Sequence, residues 1–176
     1  MIMSTLSAFS LKEWIDEHRH LLKPPVGNQV VWKNTDFIVM IVGGPNLRKD
    51  YHINETEEFF HQLEGDMVLK VKEDGKERDI VIREGDVMLL PPGIPHSPQR
   101  GEGTIGMVVE RKRPEGVEDQ FVVYCDQCNH KVLNAQFVLT DIVGQLKPLL
   151  GNFWENEDQR TCSECGAVVQ PVSPTP

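Results

Sequence analysis

The hydrophobic positions change period once along the chain. Leu11, Trp14, Ile15, His18, Leu21 and Leu22 recur at the three- and four-residue spacing of a helix with one buried face. Ser10 and Glu13 stand at capping-box spacing at its start, and Pro24 and Pro25 stop it. His18 and His20 fall in this helix and read as surface or packing residues. After the loop Lys23–Gln29 the runs become short, and many alternate. Val30–Trp32, Phe37–Val42, Glu57–Leu63, Met67–Val71, Arg78–Ile82, Val87–Leu90 and Thr104–Glu110 read as strands. Gly43-Gly44-Pro45, Glu64-Gly65-Asp66, Asp74-Gly75 and Glu84-Gly85-Asp86 punctuate them as turns. No long helical pattern interrupts this stretch, which predicts an all-β antiparallel barrel or jelly roll behind a short N-terminal helix.

Lys112–Asp119 is a polar connection bearing Pro and Gly, read as the exit from the barrel. Phe121–Tyr124 then leads into Cys125 and Cys128, and Cys162 and Cys165 follow. Between the two pairs Val132, Leu133, Phe137, Leu146, Leu149, Leu150, Phe153 and Trp154 supply enough apolar surface to fold a metal knuckle back onto the barrel. Three parts are expected: residues 1–29 as helix and loop, 30–115 as barrel, and 116–176 as a cysteine-bearing segment.

With 176 residues, 39% hydrophobic and 26% charged, the chain can build one core and a small appendage. Its net charge of -9 argues against nucleic acid as a partner, because phosphate binding needs clustered cations. No apolar run approaches the ~18 residues of a membrane span. The first residues lack the basic start and apolar centre of an export signal, so a cytoplasmic protein is expected. In that compartment two CxxC pairs read as metal ligands rather than disulfides. Four thiolates would close a tetrahedral site and leave no position for substrate, so this site reads as structural. The all-sulfur donor set suits iron or zinc equally.

A second ligand set stands in the barrel. His52 and Asn54 are two residues apart, so on a strand they share a face. Glu58 follows at an even spacing, and His96 opens a new strand after a Pro-rich turn. His61 has the opposite parity to Glu58 and reads as a non-ligand. Two His and one Glu form a facial triad with open positions, the ligand set of non-haem Fe(II) oxygenases. Arg48 lies four residues before His52, and Arg100 four after His96. Two guanidinium groups near a metal suit a substrate carboxylate. Glu110 ends an apolar strand, where a carboxylate needs a partner or a chemical role.

These residues carry a resemblance. Gly85-x5-Pro91-x-Gly93-x2-His96 resembles the second cupin motif, and His52-x-Asn54-x3-Glu58-x6-Gly65 resembles the first, with Asn54 where most metal cupins have a second His. WIDEH at 14–18, LLKPPVGN at 21–28, GGPN at 43–46, DYH at 50–52, HSPQR at 96–100, ERKRP at 110–114, YCDQC at 124–128 and CSECG at 162–166 resemble the 3-hydroxyanthranilate 3,4-dioxygenases of bacteria and fungi. The resemblance implies a cupin double-stranded β-helix with a small C-terminal four-cysteine knuckle. It implies catalytic Fe(II) on His52, Glu58 and His96, and a second, structural iron on Cys125, Cys128, Cys162 and Cys165. It implies that Arg48 and Arg100 bind the substrate carboxylate, that Glu110 bonds the ring hydroxyl or amine and takes its proton, and that Asn28 and Asp50 stand behind the residues that touch metal and substrate or in loops that close over the site. The implied partners are 3-hydroxyanthranilate, O2 and a second copy of the chain. The alternatives are another iron cupin dioxygenase acting on a small aromatic or thiol, and a metal-binding cupin without catalysis.

Overall fold

The structure is a computed structural model that describes residues 7–24, 27–32, 35–140 and 142–172. Pro25, expected to help stop the first helix, and the Pro-rich tail at 173–176 lie outside the described residues. Helix α1 spans Leu11–His18, and Ser10 Oγ accepts from the backbone N–H of Glu13 at 3.2 Å. The Ser10 side chain thus satisfies an otherwise orphaned donor of the first turn. The helix ends before Pro24, passing at His18 into a single 3-10 turn, Arg19–Leu21. His18 is a packing residue: its ring stacks on Trp14 at 4.1 Å, and Nδ1 lies 2.7 Å from the Trp14 carbonyl oxygen.

Eleven strands follow among the described residues: β1 Asn28–Val30, β2 Phe37–Gly43, β3 Asp50–Ile53, β4 Glu58–Glu64, β5 Met67–Glu73, β6 Lys76–Ile82, β7 Val87–Leu90, β8 His96–Arg100, β9 Ile105–Arg111, β10 Asp119–Tyr124 and β11 Lys131–Phe137. They form a five-stranded sheet in the order β1-β2-β9-β4-β7 and a six-stranded sheet in the order β11-β10-β3-β8-β5-β6. The paired strands are antiparallel throughout. This is the expected antiparallel jelly roll.

Period-two alternation explains how the sheets meet. On β5, Met67, Leu69 and Val71 are buried while the residues between them are only half-buried. These three join Met40, Val42, Phe60, Leu90 and Val108 of the other sheet in one core cluster, so the barrel interior lies between the sheets. The opposite face of the five-stranded sheet is also covered. Trp14, Ile15 and Leu22 pack there on Ile41 and Ile105, each full burial contributing about 1.5–3 kcal/mol before entropy is counted.

The break expected near residue 115 falls in the turn between β9 and β10. β10 nevertheless pairs with β3 in the six-stranded sheet, Phe121 opposite His52. Phe121, Val122 and Val123 are fully buried because both faces of β10 are covered. Val123 clusters with Phe153 of α2 (Ile142–Glu155) and with Val169 beside the cysteines. The cysteine segment thus folds back onto a barrel strand.

Candidate metal centres and the buried charges around them

The triad is assembled from both sheets. His52 on β3 is the cross-strand partner of His96 on β8. Glu58 begins β4, in the facing sheet. The three side chains are buried, and one ligand atom from each lies within 4.8 Å of the others. The hydrogen bonds say which atoms are free. His96 Nδ1 lies 3.0 Å from the Ile94 carbonyl oxygen, to which it can only donate, so Nε2 carries the lone pair. Glu58 Oε2 sits 3.1 Å from that Nε2 but has no hydrogen-bond partner. Two buried acceptors facing each other across that distance fit a shared cation. His52 Nε2 is engaged by Asp119 Oδ2 at 2.7 Å, which leaves Nδ1 for a metal. The donor set is two imidazoles and one carboxylate, apt for a non-haem metal with open positions.

Without a cation, protons compete for the same atoms. Burial pushes the Glu58 pKa up, but the charge of His96 overrides this and holds it below its ordinary value. Burial pushes His96 down, and the charge of Glu58 overrides that and raises it. His52 is lowered by burial despite its bond to Asp119.

Asn54 does not join the group. Strand β3 ends at Ile53, so the alternation that starts at His52 does not reach residue 54. Its Oδ1 accepts from Thr56 N–H and Thr56 Oγ1, both at 2.9 Å, and caps the turn into β4. His61 faces away from the parity shared by Glu58, Phe60 and Gln62, all buried.

Glu110 on β9 lies directly opposite Glu58 in the register. Two buried carboxylates side by side repel unless each has a cation or a proton. Burial, then the charge of Glu58, pushes the Glu110 pKa up to about 7 against the pull of Arg113. Arg113 donates Nη1 to Glu110 Oε2, and Nε and Nη2 to Asp119 at 3.0 and 2.7 Å.

Arg100 keeps the His96 face, because Pro98 does not interrupt β8. Its side chain is among the largest that are fully buried. Nη1 donates to Gln62 Oε1 at 3.0 Å, Nε has no partner, and among the described residues no carboxylate pairs with the guanidinium. Burial lowers its pKa to about 10, opposed by the charge of Glu58. Gly106 makes room for it, since a Cβ there would stand 2.6 Å from Arg100 Nη1.

Arg48 pairs with buried Asp50, whose charge holds the guanidinium pKa above its ordinary value despite burial. Gln99 fixes the Arg48 backbone through Nε2 to its carbonyl oxygen at 2.9 Å. Arg48, Asp50 and Asn28 line a cleft of about 610 Å³ under α2; the triad is not part of that lining.

The four cysteines converge as well. Sγ of Cys125 lies 3.6 Å from that of Cys165, and Sγ of Cys128 lies 3.5 Å from that of Cys162. A disulfide needs about 2.05 Å, whereas the edge of a metal–thiolate tetrahedron with bonds near 2.3 Å is about 3.8 Å. Each pair sits in the same kind of turn: Asn129 N–H bonds Cys125 O at 3.0 Å, and Gly166 N–H bonds Cys162 O at 2.9 Å. Both Asn129 and Gly166 have positive φ, 62° and 72°, as such turns require. Backbone N–H groups aimed at Cys125 lower its thiol pKa to about 7.

The family model for 3-hydroxyanthranilic acid dioxygenase matches residues 3–154. The chain belongs to this family. It is 54% identical over 167 residues to the 3-hydroxyanthranilate 3,4-dioxygenase of Shewanella woodyi, covering 94% of this chain and 88% of that one. With the enzyme of the same name from Ruegeria pomeroyi it shares 54% over 94% of this chain and 93% of that one. The Burkholderia cenocepacia enzyme is 53% identical over 91% of each. Among solved structures, a cupin-2 domain protein from Shewanella frigidimarina is 19% identical, covering 55% of this chain and 91% of that one with a TM-score of 0.44.

Four side chains around the candidate metal site were missed in the sequence: Arg113, Asp119, Gln62 and Phe121. The first two looked like part of a solvated connection. A signal existed, since Glu110, Arg113 and Asp119 place alternating charges around a turn that joins two apolar strands. Phe121, which stacks on His52 at 4.7 Å, read only as part of an apolar run.

Proposed function

We propose that this chain cleaves the ring of 3-hydroxyanthranilate with O2, using Fe(II) held by His52, Glu58 and His96. Both oxygen atoms enter the product, 2-amino-3-carboxymuconate semialdehyde, which closes to quinolinate without an enzyme. Fe(II) held by these three side chains would supply the electron transfer that lets the ring react with O2.

The chain's own residues supply the rest. Glu110 accepts the phenolic proton, and a pKa of about 7 suits a base working near neutral pH. Arg100 and Arg48 hold the carboxylate and thereby the orientation of the ring. Phe121 against His52 and Phe60 against His96 keep water from the ligands. Asn28 and Asp50, beside Arg48, shape the approach. The four-cysteine site holds a second iron with a structural role. The working form is a homodimer in the cytoplasm, and among the described residues no helix is long and apolar enough to cross a membrane.

The observation that carries the substrate reading is Arg100. A buried guanidinium without a counter-ion costs several kcal/mol, and an anion that enters the barrel recovers that cost. The test compares 3-hydroxyanthranilate with 2-aminophenol, which lacks the carboxylate. The native protein should favour the acid by at least ~100-fold in kcat/KM. Arg100→Met should erase most of that preference while keeping the triad metal. A preference unchanged in the variant would refute the role of Arg100.

A further inference from the structure

One buried network connects the two halves of the candidate site. Asp119 opens β10 and is fully buried. Its Oδ2 meets His52 Nε2 at 2.7 Å, and both its oxygens also accept from Arg113: Oδ1 from Nε at 3.0 Å, Oδ2 from Nε at 3.2 Å and from Nη2 at 2.7 Å. The remaining guanidinium nitrogen, Nη1, reaches Glu110 Oε2 and, at 3.3 Å, the carbonyl oxygen of Arg111. The Arg113 side chain is only 6% exposed. The turn from β9 to β10 brings these groups together, with Arg113 three positions after Glu110 and six positions before Asp119.

We propose that Arg113 is a positioning residue, clamping Asp119 behind the metal ligand His52 with one edge of its guanidinium and Glu110 with the other. The proposal rests on the triad and Glu110 roles given above. The chemistry at each end is definite. A carboxylate on Nε2 fixes the His52 tautomer with its proton there, so the Nδ1 lone pair points to the metal. Stacking on Phe121, with ring planes 11° apart, fixes the rotation that the hydrogen bond leaves free. At the other end, holding Oε2 of Glu110 leaves Oε1 to face substrate. A planar fork with five donors grips both oxygens of Asp119 and reaches Glu110 with its remaining nitrogen, a fixed geometry that one ammonium nitrogen does not reproduce. Mere attachment of β10 to β9 would not require this arrangement, since buried ion pairs can often be replaced by apolar groups without loss of stability.

The test measures Co(II) affinity of the triad in the full chain without substrate, read from its weak visible bands. The intense thiolate bands of the four-cysteine site report that the fold is intact. Asp119→Ala should weaken triad binding by ~10–100-fold and leave those thiolate bands unchanged. Arg113→Met should weaken it by less. Because Arg113 acts on the metal through Asp119, the double variant should bind no more weakly than Asp119→Ala alone. In metal-saturated protein, Arg113→Met should lower kcat more than it raises KM, and Arg113→Lys should recover metal affinity but not kcat. Wild-type affinity in Asp119→Ala, additive losses in the double variant, or full kcat in Arg113→Met would each overturn the proposal. The affinity measurements need no substrate, so they stand if the substrate is another compound. Undiminished binding in His96→Ala would remove the triad itself, and the clamp with it.

Discussion

Gly106→Ala is a one-carbon change that should act on substrate through Arg100. The added Cβ would lie 2.6 Å from Arg100 Nη1, 2.9 Å from Nη2 and 2.8 Å from Gln62 Oε1. Ordinary contact begins near 3.4 Å, so the guanidinium must move by about 0.8 Å. On the surface an arginine end would swing aside at little cost. Here it is 1% exposed and bonded to the same Gln62 that is also displaced, so both partners are driven off together. Overpacking of this kind costs about 1–3 kcal/mol of stability. A misplacement of about 1 Å in a positioning group costs on the order of 100-fold in rate. Steady-state ring opening of 3-hydroxyanthranilate should therefore fall ~10–100-fold in kcat/KM, while triad metal content stays at the native level. Turnover of 2-aminophenol, which has no carboxylate to place, should change several-fold less. A native kcat/KM for the acid, or an equal loss for both substrates, would refute the argument that Gly106 serves Arg100.

His96→Ala should empty the triad and abolish turnover while the metal held by the four cysteines remains; metal analysis of the two sites checks this. Cys125→Ser with Cys162→Ser should release the other metal and loosen the cluster of Val123, Phe153 and Val169, lowering Tm, yet catalysis at a loaded triad should persist. Complete inactivity in that folded, loaded variant would contradict a structural role. In metal-free protein, Glu110 titrates near pH 7 when folded but near 4.5 in the unfolded chain. The folded state then binds the extra proton between those values, so this residue's contribution to stability falls as pH rises from 4.5 to 7, by up to about 1.4 kcal/mol per unit. Glu110→Gln should flatten that slope in chemical denaturation, and an unchanged slope would show that Glu110 is not the group responsible.

The barrel was legible because its strands carry their own punctuation. β7 has the expected limits, and β2, β4, β5, β6 and β9 differ from theirs by at most two residues at either end. Edge and bridging strands were harder to read. β11, with no fully buried residue, shows no apolar alternation of its own, because it borrows stability from β10. β10 is apolar on both faces and so gave no period. At the site, His52, Glu58 and His96 could be picked out by residue type and spacing, and the structure brings them together. Parity correctly set His61 apart, while Asn54, one residue beyond the end of β3, turns its Oδ1 to Thr56. The charge network was hidden for a different reason. Arg113 and Asp119 are polar residues in a connection, and only the return of β10 beside β3 makes Asp119 a buried partner of His52, with Arg113 behind it.

The central claim is tested most directly by O2 uptake. Protein loaded with Fe(II) at the triad should consume one O2 for each 3-hydroxyanthranilate added, with the absorbance of the ring-opened product rising in step. No uptake by protein shown to hold Fe(II) at His52, Glu58 and His96, or uptake without that product, would contradict the proposed reaction.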